Sequence, residues 1–449
     1  MKFHSHSDPA LTTSFGEALL ASLAPDGGLW MPEKLPSFSP AEAAELGAMS
    51  FADCAAELAS HFAGDAFSKK ELQALSRGAY DFPLPLVSLG GESFDAAMTE
   101  EGEHFVLELF HGPTLAFKDF AARFMGRAVS HLTKKSGKTR TVLVATSGDT
   151  GGAIGYAFEG LPGIKVVILY PEGGVSKVQE QQLTTIGEDT NVQALRVKGT
   201  FDDCQALVKE AFADKDMATE HNLMSANSIN VARVVPQSFY YFWTSLQLKA
   251  GYPSRPIVYS IPSGNLGNLT GGLMAKLMGA PIDRFVVGHN ANDPFVDYLQ
   301  TGTYKPRASV PTLSNAMDIG RPNNFPRITA LYGNDHKAVQ DVVWGASFTD
   351  AETERHMRRV HSMTGYVMCP HTAIGHMALQ NFMRDVDEPV THVTVSTAHP
   401  GKFQPDVERI LREDLPLPPA LADIMDREPD VTEISNRISD LSDYLKAFA

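Results

Sequence analysis

One lysine has the neighbours of a reactive amine. Lys118 directly follows the apolar run 115–117 in the segment LFHGPTLAFKD, with a Gly-Pro pair at 112–113. A lysine held among apolar groups has a lowered pKa, so its neutral amine can attack an aldehyde and form a Schiff base. Taken alone, however, this window is explained better by an ordinary lysine at a helix start whose charge reaches solvent.

A glycine-rich loop supplies a second candidate. The loop SGNLGN at 263–268 follows a predicted strand and precedes a predicted helix. Glycines let backbone N–H groups approach an anion, and the following helix adds its N-terminal donors. The spacing matches neither a P-loop nor GxGxxG. On this pattern, a phosphate cradle and a plain strand-to-helix turn are equally good interpretations.

Two further segments place polar side chains beside helix starts. The loop at 145–152, ATSGDTGG, offers hydroxyl and N–H groups to a carboxylate, whereas Asp149 suits a ligand hydroxyl. Taken alone, Asp149 is better explained as a helix N-cap. In the segment SANSINVAR, Asn227, Ser228 and Arg233 would clamp a phosphate, although an N-cap beside a surface arginine is the commoner combination.

Composition indicates a soluble globular enzyme, and the length indicates two or three domains. The chain has 449 residues, 43% hydrophobic and 20% charged, with a net charge of −15 that disfavours nucleic acid and anionic membranes as partners. Three cysteines without a CxxC pair predict neither a disulfide framework nor a metal site. The sequence shows no signal peptide and no membrane-spanning run, so a cytoplasmic protein is expected.

Alternating strands and helices must position these loops. Predicted strands lie at 141–145, 165–170, 192–197, 256–261, 285–288 and 392–396, with helices at 201–213, 231–249 and 269–279. The alternation predicts parallel sheets covered by helices, with ligands at the carboxyl ends of the strands. The predicted division has a mostly helical N-terminal segment at 1–95 and a smaller α/β domain at 120–215. A larger α/β domain combines 96–119 with 216–449 and ends in a helical C-terminal tail.

Five segments, in order, resemble the threonine synthase family. They are LAPDGGLWMPEKLP, HGPTLAFKD, SGDTGG, SGNLGN and STAHPGKF, which span residues 23 to 403. Two small departures are Leu266, where the family usually has Phe, and Gly401, where Ala is common. The resemblance implies the type II fold of tryptophan synthase β, with pyridoxal 5′-phosphate between two α/β domains. It also implies conversion of O-phospho-L-homoserine and water into L-threonine and phosphate.

The resemblance assigns roles by motif position. Lys118 would bind the cofactor covalently and be the catalytic residue, Thr397 would face the pyridine nitrogen, and Asp149 would lie beside the 3′-oxygen, where related enzymes often carry Asn. The residues implied to hold the cofactor phosphate are Gly264, Asn265, Leu266, Gly267 and Asn268. Those implied for the substrate carboxylate are Ser147, Gly148 and Thr150, and those for the substrate phosphate are Asn227, Ser228 and Arg233. No metal is implied.

The implied reaction is a γ-elimination of phosphate followed by β-addition of water. It requires Lys118 to be neutral near pH 7, a shift of ~3 pKa units or about 4 kcal/mol from a free lysine. A related phospho-lyase that gives 2-oxobutyrate would use the same residues, and a non-catalytic phospho-ligand sensor is disfavoured because the lysine and the loop are intact. His111, His371 and His399 adjoin the motifs, but none is predicted to be catalytic. A monomer or a homodimer is expected.

Overall fold

The structure is a computed structural model that describes residues 1–89, 104–146, 148–186, 190–384, 386 and 389–448. Its strands are β1 (Lys2–Ser5), β2 (Thr12–Ser14), β3 (Trp30–Pro32), β4 (Leu86–Ser88), β5 (His104–Glu108), β6 (Arg140–Ala145), β7 (Ile164–Pro171), β8 (Val192–Lys198), β9 (Leu223–Met224), β10 (Ile257–Pro262), β11 (Arg284–His289), β12 (Val343–Ser347), β13 (Thr391–Ser396) and β14 (Thr432–Ser435). They form three sheets, two of which are mainly or wholly parallel. The predicted α/β class is confirmed.

Helices cover these sheets. They are α1 (Phe15–Ala21), α2 (Pro40–Gly47), α3 (Phe51–Ala63), α4 (Lys69–Ala79), α5 (Lys118–Ser136), α6 (Asp149–Phe158), α7 (Lys177–Thr184), α8 (Phe201–Ala213), α9 (Lys215–Glu220), α10 (Val235–Gly251), α11 (Gly267–Leu277), α12 (Pro294–Thr301), α13 (Phe325–Leu331), α14 (His336–Gln340), α15 (Asp350–Thr364), α16 (Pro370–Met383), α17 (Gln404–Leu411), α18 (Pro419–Met425) and α19 (Ile438–Ala447). None of the described helices combines the length and apolar character needed to span a bilayer.

The N-terminal segment is mostly helical, as predicted. Helices α1, α2 and α4 each begin with a capping box, in which a serine and a glutamate three residues later satisfy each other's backbone N–H groups. The sequence analysis did not anticipate the small antiparallel sheet of order β2-β1-β3. Its strands have only three or four residues each, too few to show an alternating pattern.

A six-stranded sheet of order β12-β11-β10-β13-β5-β4 forms the larger half of the fold. All its strands are parallel except β4, which pairs antiparallel with β5 at the edge. Every residue of β10 and of β13 is buried, because helices cover both faces. The adjacent carboxyl ends of β5, β13 and β10 lead into the lysine segment, Thr397 and the glycine-rich loop.

A five-stranded parallel sheet of order β14-β8-β7-β6-β9 forms the smaller half. Its outermost strand, β14, lies in the C-terminal tail, which was predicted to be helical and part of the larger domain. Instead, β14 pairs parallel with β8, and α19 packs against α8. The strand escaped prediction because it has four residues, of which only Ile434 is buried. We propose a two-domain division in which this tail joins the smaller domain.

Candidate active site

One cavity lies where elements of the two large sheets meet. Most of the predicted site residues line it, namely Lys118, Asp149, Thr150, Asn227, Ser228, Arg233, Gly264, Asn265, Gly267, Asn268 and Thr397. Two are not on its wall: Leu266 is fully buried in the protein core, and the Gly148 N–H donates to Thr146 Oγ1 at 3.0 Å. Ser147 lies outside the described residues. The fold therefore gathers five separate segments around one space.

Backbone pairing fixes Lys118 relative to Thr397. Ala116 and Ala398 form an isolated antiparallel bridge, and the Phe117 N–H donates to the Thr397 carbonyl at 2.9 Å. Lys118 is the first residue of α5 and retains 15% of its side-chain surface. Because that surface opens into the cavity, the interpretation as a solvent-reaching lysine is wrong.

Burial makes Lys118 a weaker base than a surface lysine. Loss of hydration lowers the pKa of its amine to about 8, and Asp149, with Oδ2 at 3.8 Å from Nζ, opposes that decrease. Positive charge on Arg233 and Lys402 lowers the pKa further. The pKa of Lys118 is thus lowered in the direction that a neutral amine near pH 7 requires.

Asp149 is an ionised acceptor. It is the first residue of α6, and Gly148, with φ of 128°, occupies the N-cap, so the cap interpretation of Asp149 is wrong. Burial alone would raise the pKa of the Asp149 carboxyl, but Lys402 and then Lys118 outweigh burial and hold that pKa far below its usual range. Gln179 Nε2 also donates to Oδ1 at 3.2 Å.

Lys402 is a site residue that sequence reasoning missed. Its side chain is fully buried, and its Nζ lies 3.0 Å from Asp149 Oδ1. The same amine donates to the Thr114 carbonyl at 2.8 Å and to Gln182 Oε1 at 2.6 Å. The available signal was its place in the segment STAHPGKF, where only the glycine was considered.

The loop at 263–268 forms a cradle of backbone. Leu266 adopts φ of 59° as the N-cap of α11, a left-handed conformation that turns the chain into the helix. Gly264 packs closely enough that a Cβ there would lie 2.6 Å from the Met317 Cα. Asn268 uses its side chain within the loop, accepting from Ser263 at 2.6 Å and donating to Pro262 at 2.9 Å. The Leu269 N–H also donates to Asn268 Oδ1 at 3.0 Å, so the N–H groups of Gly267 and Asn268 at the helix start are the ones left to face an anion.

The segment that carries Asn227, Ser228 and Arg233 lies against this cradle. Asn265 Nδ2 donates to Ser228 Oγ at 2.7 Å, which joins the two loops. Arg233 is 4% exposed, so it is not a surface arginine, and burial lowers the pKa of its guanidinium to about 10. Within the described part of the chain, Arg233 Nε and Asn227 Oδ1 are buried without a hydrogen-bond partner. Buried groups of this kind indicate space for a polar ligand.

The three histidines beside the motifs separate into two places. His371 lines the main cavity, where burial lowers the pKa of its ring to about 4 and keeps the ring neutral. His111 and His399 instead line a second depression together with Glu108 and Tyr366. The sequence could not distinguish them, because each adjoins a motif.

The cavity rim carries an arginine that the sequence analysis did not identify. Arg321 is exposed and lines the cavity, and it forms no ion pair with any carboxylate in the described ranges. The nearby Asn323 N–H donates to Asn265 Oδ1 at 2.5 Å, so this rim segment is tied to the cradle. Unpaired positive charge at a cavity mouth favours an anionic ligand.

The geometry fits a ligand that has an aldehyde, an ionisable ring and a phosphate. Lys118 supplies an amine, Asp149 and Thr397 supply polar contacts for a ring, and the loop supplies a cradle for phosphate. The described residues contain no group of three or more His, Cys, Asp or Glu side chains placed to hold a metal ion. Pyridoxal 5′-phosphate has these three features, so the residues fit it.

Comparison with known proteins agrees with this fit. A family model described as pyridoxal-phosphate dependent enzyme matches residues 82–398. Models of the threonine synthase N terminus and of the threonine synthase C-terminal region match residues 2–80 and 372–445.

The chain is also similar to individual proteins over nearly its whole length. It is 40% identical over 427 residues to threonine synthase from Escherichia coli, with 95% of each chain covered. It superposes on the structure of pyridoxal-phosphate-bound threonine synthase from Brucella melitensis with a TM-score of 0.90 and 34% identity, covering 100% and 99% of the two chains. It superposes on the structure of yeast threonine synthase with a TM-score of 0.91 and 30% identity, covering 100% and 98% of the two chains.

Proposed function

The chain belongs to the threonine synthase family of pyridoxal-phosphate-dependent enzymes, and we propose that it converts O-phospho-L-homoserine and water into L-threonine and phosphate. The observation that carries this proposal is the single cavity in which the Lys118 amine faces Asp149 beside a glycine-rich cradle. Both features that a non-catalytic sensor would lack, the lysine and the cradle, are intact.

The residues that would hold the cofactor come from four segments. Lys118 would bind the aldehyde carbon of the cofactor, Asp149 would lie beside its ring oxygen, and Thr397 would face its ring nitrogen. Gly264, Asn265, Gly267 and Asn268 would hold its phosphate through the cradle, with Leu266 shaping the helix start behind it. Bound there, the cofactor supplies an electron sink for the charge that develops on substrate carbon.

Lys118 would move the protons. Displaced by substrate, its amine takes the proton from Cα and then serves proton transfer at Cβ, which permits departure of phosphate from Cγ. An amine with a pKa of about 8 is partly neutral at neutral pH, and its neutral fraction grows as the pH rises through that value. We therefore expect the rate of proton abstraction to rise with pH through about 8.

Two groups of residues would hold the anionic ends of the substrate. Asn227, Ser228 and Arg233 bind its phosphate, and the partnerless Arg233 Nε supports this role. Ser147, Gly148 and Thr150 bind its carboxylate, with Thr150 lining the cavity. Because burial deprives Arg233 of water, its charge-assisted hydrogen bonds to a departing phosphate are strong ones.

Arg321 would attract the same anionic substrate from the cavity rim, where solvent screens its charge. Arg321→Ala is expected to raise KM by up to about fivefold and to change kcat less than about twofold, because an exposed, solvent-screened charge contact contributes at most about 1 kcal/mol. Steady-state kinetics at two salt concentrations measures this, with Arg437→Ala as an exposed control on the C-terminal segment. A fall in kcat with KM unchanged would contradict a role in substrate capture.

The product decides between this reaction and phospho-lyase chemistry. The purified protein with pyridoxal 5′-phosphate and O-phospho-L-homoserine should release threonine and phosphate in equal amounts. Chromatography of amino acids, with a colorimetric assay for 2-oxo acids, measures both outcomes. Release of 2-oxobutyrate and ammonia as the main products would replace the proposed function with the lyase, which the same residues can support.

The cellular setting is part of the proposal. The three cysteines, Cys54, Cys204 and Cys369, are buried and unpaired, which supports a reducing, cytoplasmic location. Only three large hydrophobic residues are exposed among the described ones, namely Met49, Leu277 and Val310. This supports a monomer or a homodimer without an extended apolar interface. The partner is the small substrate, and the negative net charge argues against nucleic acid or an anionic membrane surface.

A further inference from the structure

Lys402 has no surface and no function in the proton transfers described above. It lies in the turn Pro400–Phe403 that follows β13, on the larger sheet's side of the cavity. All three hydrogens of its amine point to acceptors: Asp149 Oδ1 at 3.0 Å, the Thr114 carbonyl at 2.8 Å and Gln182 Oε1 at 2.6 Å. A buried ammonium is costly unless it is paired in this way, so this lysine is built into the site as a cation.

The two oxygens of Asp149 are divided between two lysines. Oδ1 is contacted by Lys402 at 3.0 Å, and Oδ2 faces Lys118 at 3.8 Å. The closer contact belongs to the lysine with no accessible surface, and the looser contact to the lysine that opens into the cavity. Geometry therefore distinguishes a permanent partner of the carboxylate from a transient one.

The charges of the three groups also indicate that Lys402 is the permanent partner of Asp149 and Lys118 the transient one. With both lysines protonated, this buried cluster holds two cations and one anion. Loss of a proton from Lys118 leaves a neutral pair of Asp149 and Lys402. Without Lys402, the same loss would leave a buried carboxylate with no cation in contact, which is costly. The cluster is thus arranged so that Lys118 is the group that gives up its proton.

We propose that Lys402 is a positioning residue, the permanent counter-ion of Asp149, which leaves the amine of Lys118 free to become neutral. This inference rests on the proposed function, since it explains how Lys118 serves as base and nucleophile. It also links the two halves of the fold, because Lys402 follows a strand of the larger sheet whereas Asp149 and Gln182 belong to helices on the smaller one.

Other ionisable groups lie close enough to influence this cluster. They are Arg233, Asp119, His371, His399 and Cys369. Burial keeps His371 neutral, with a pKa of about 4. Thr114 binds the carboxyl of Asp119 through its N–H at 2.9 Å and its hydroxyl at 2.7 Å. None of these groups contacts Asp149 directly, so none replaces Lys402.

The test uses the holoenzyme and the pH at which the visible absorption of the cofactor–Lys118 linkage changes. In Lys402→Met, we expect this midpoint to rise by about one to three pH units, because Asp149 then holds a proton on the linkage without competition. Lys402→Arg keeps the charge and should shift the midpoint much less. Lys276→Met is the matched control, since the Lys276 amine donates to the backbone carbonyls of Ile282 and Asp283, away from the cavity.

A double variant separates charge from folding. Asp149→Asn removes the anion and should lower the midpoint, whereas Asp149→Asn with Lys402→Met restores neutrality and should return the midpoint close to that of the unaltered protein. Shifts of opposite sign that cancel are not expected from loss of packing alone. If Lys402→Met does not fold, the comparison of Asp149→Asn with the double variant still isolates the charge of Lys402.

Two results would overturn the inference. One is a midpoint in Lys402→Met within the experimental error of the unaltered protein; the other is a double variant whose midpoint equals that of Asp149→Asn. Either result would leave the proposed function intact if the unaltered protein still binds the cofactor and forms threonine. Absence of the absorption band in the unaltered protein would instead count against the proposed function itself.

Discussion

Lys118→Ala is expected to lower kcat by about 10⁴-fold or more and to remove the visible absorption band of the bound cofactor. Two functions would disappear together, because Lys118 is the proposed covalent attachment and is the only amine open to the cavity among the described residues that line it. The measurements are an absorbance spectrum, before and after borohydride, and initial rates of phosphate release. The spectrum reports on attachment and the rates report on catalysis.

Lys276→Ala provides the comparison for this prediction. Lys276 is also a partly buried lysine that donates to backbone carbonyls, but it lies at the end of α11 away from the cavity. Its loss should leave both band and rate close to those of the unaltered protein. Retention of a borohydride-reducible band in Lys118→Ala would place the attachment on another lysine and refute the assignment.

Gly264→Ala is expected to weaken binding of pyridoxal 5′-phosphate by about tenfold to a hundredfold. The added Cβ would lie 2.6 Å from the Met317 Cα and 3.0 Å from its carbonyl oxygen, so backbone must shift. Such overpacking costs about 1–3 kcal/mol, and here the displaced backbone belongs to the loop that is proposed to hold the phosphate. The dissociation constant of the cofactor, measured by titrating cofactor-free protein and following absorbance, tests this prediction.

The control for the cradle is a glycine with open surroundings. Gly251 ends α10, and a Cβ there would meet nothing within 4 Å. Gly251→Ala should leave cofactor affinity unchanged. If Gly264→Ala binds the cofactor as tightly as Gly251→Ala does, then the cradle does not hold the phosphate. A Gly264→Ala protein with a large loss of thermal stability at saturating cofactor would indicate a structural role for the loop instead.

The sequence was informative where chemistry depends on local motifs. Lys118, the loop at 263–268 and Asp149 stand in contiguous segments, and the strands before Asp149 and before the loop, β6 and β10, are largely apolar runs buried on both faces. Such runs predict their own burial. The relative placement of the segments followed from one rule, that parallel strands collect their loops at one edge.

Features that depend on long-range packing were not predictable in this way. Lys402 is an ordinary residue in its window, and only the fold brings it within 3.0 Å of a carboxylate 253 positions earlier in the chain. The strand β14 is too short to show a pattern, and its partner β8 lies far away in sequence. Arg321 belongs to a loop without regular structure, so no periodicity marks it. For Lys402 and β14, the contact that determines their place in the fold is made with a segment distant in sequence.

Reaction in ¹⁸O-labelled water tests the central claim most directly. Elimination from Cγ breaks the carbon–oxygen bond, so phosphate leaves with its bridging oxygen, and water then adds at Cβ. The account predicts one ¹⁸O atom in the hydroxyl of threonine and none in the phosphate released in a single turnover, both read by mass spectrometry. Label in the phosphate, with unlabelled homoserine as the other product, would mean that the protein cleaves the phosphorus–oxygen bond and would contradict the account.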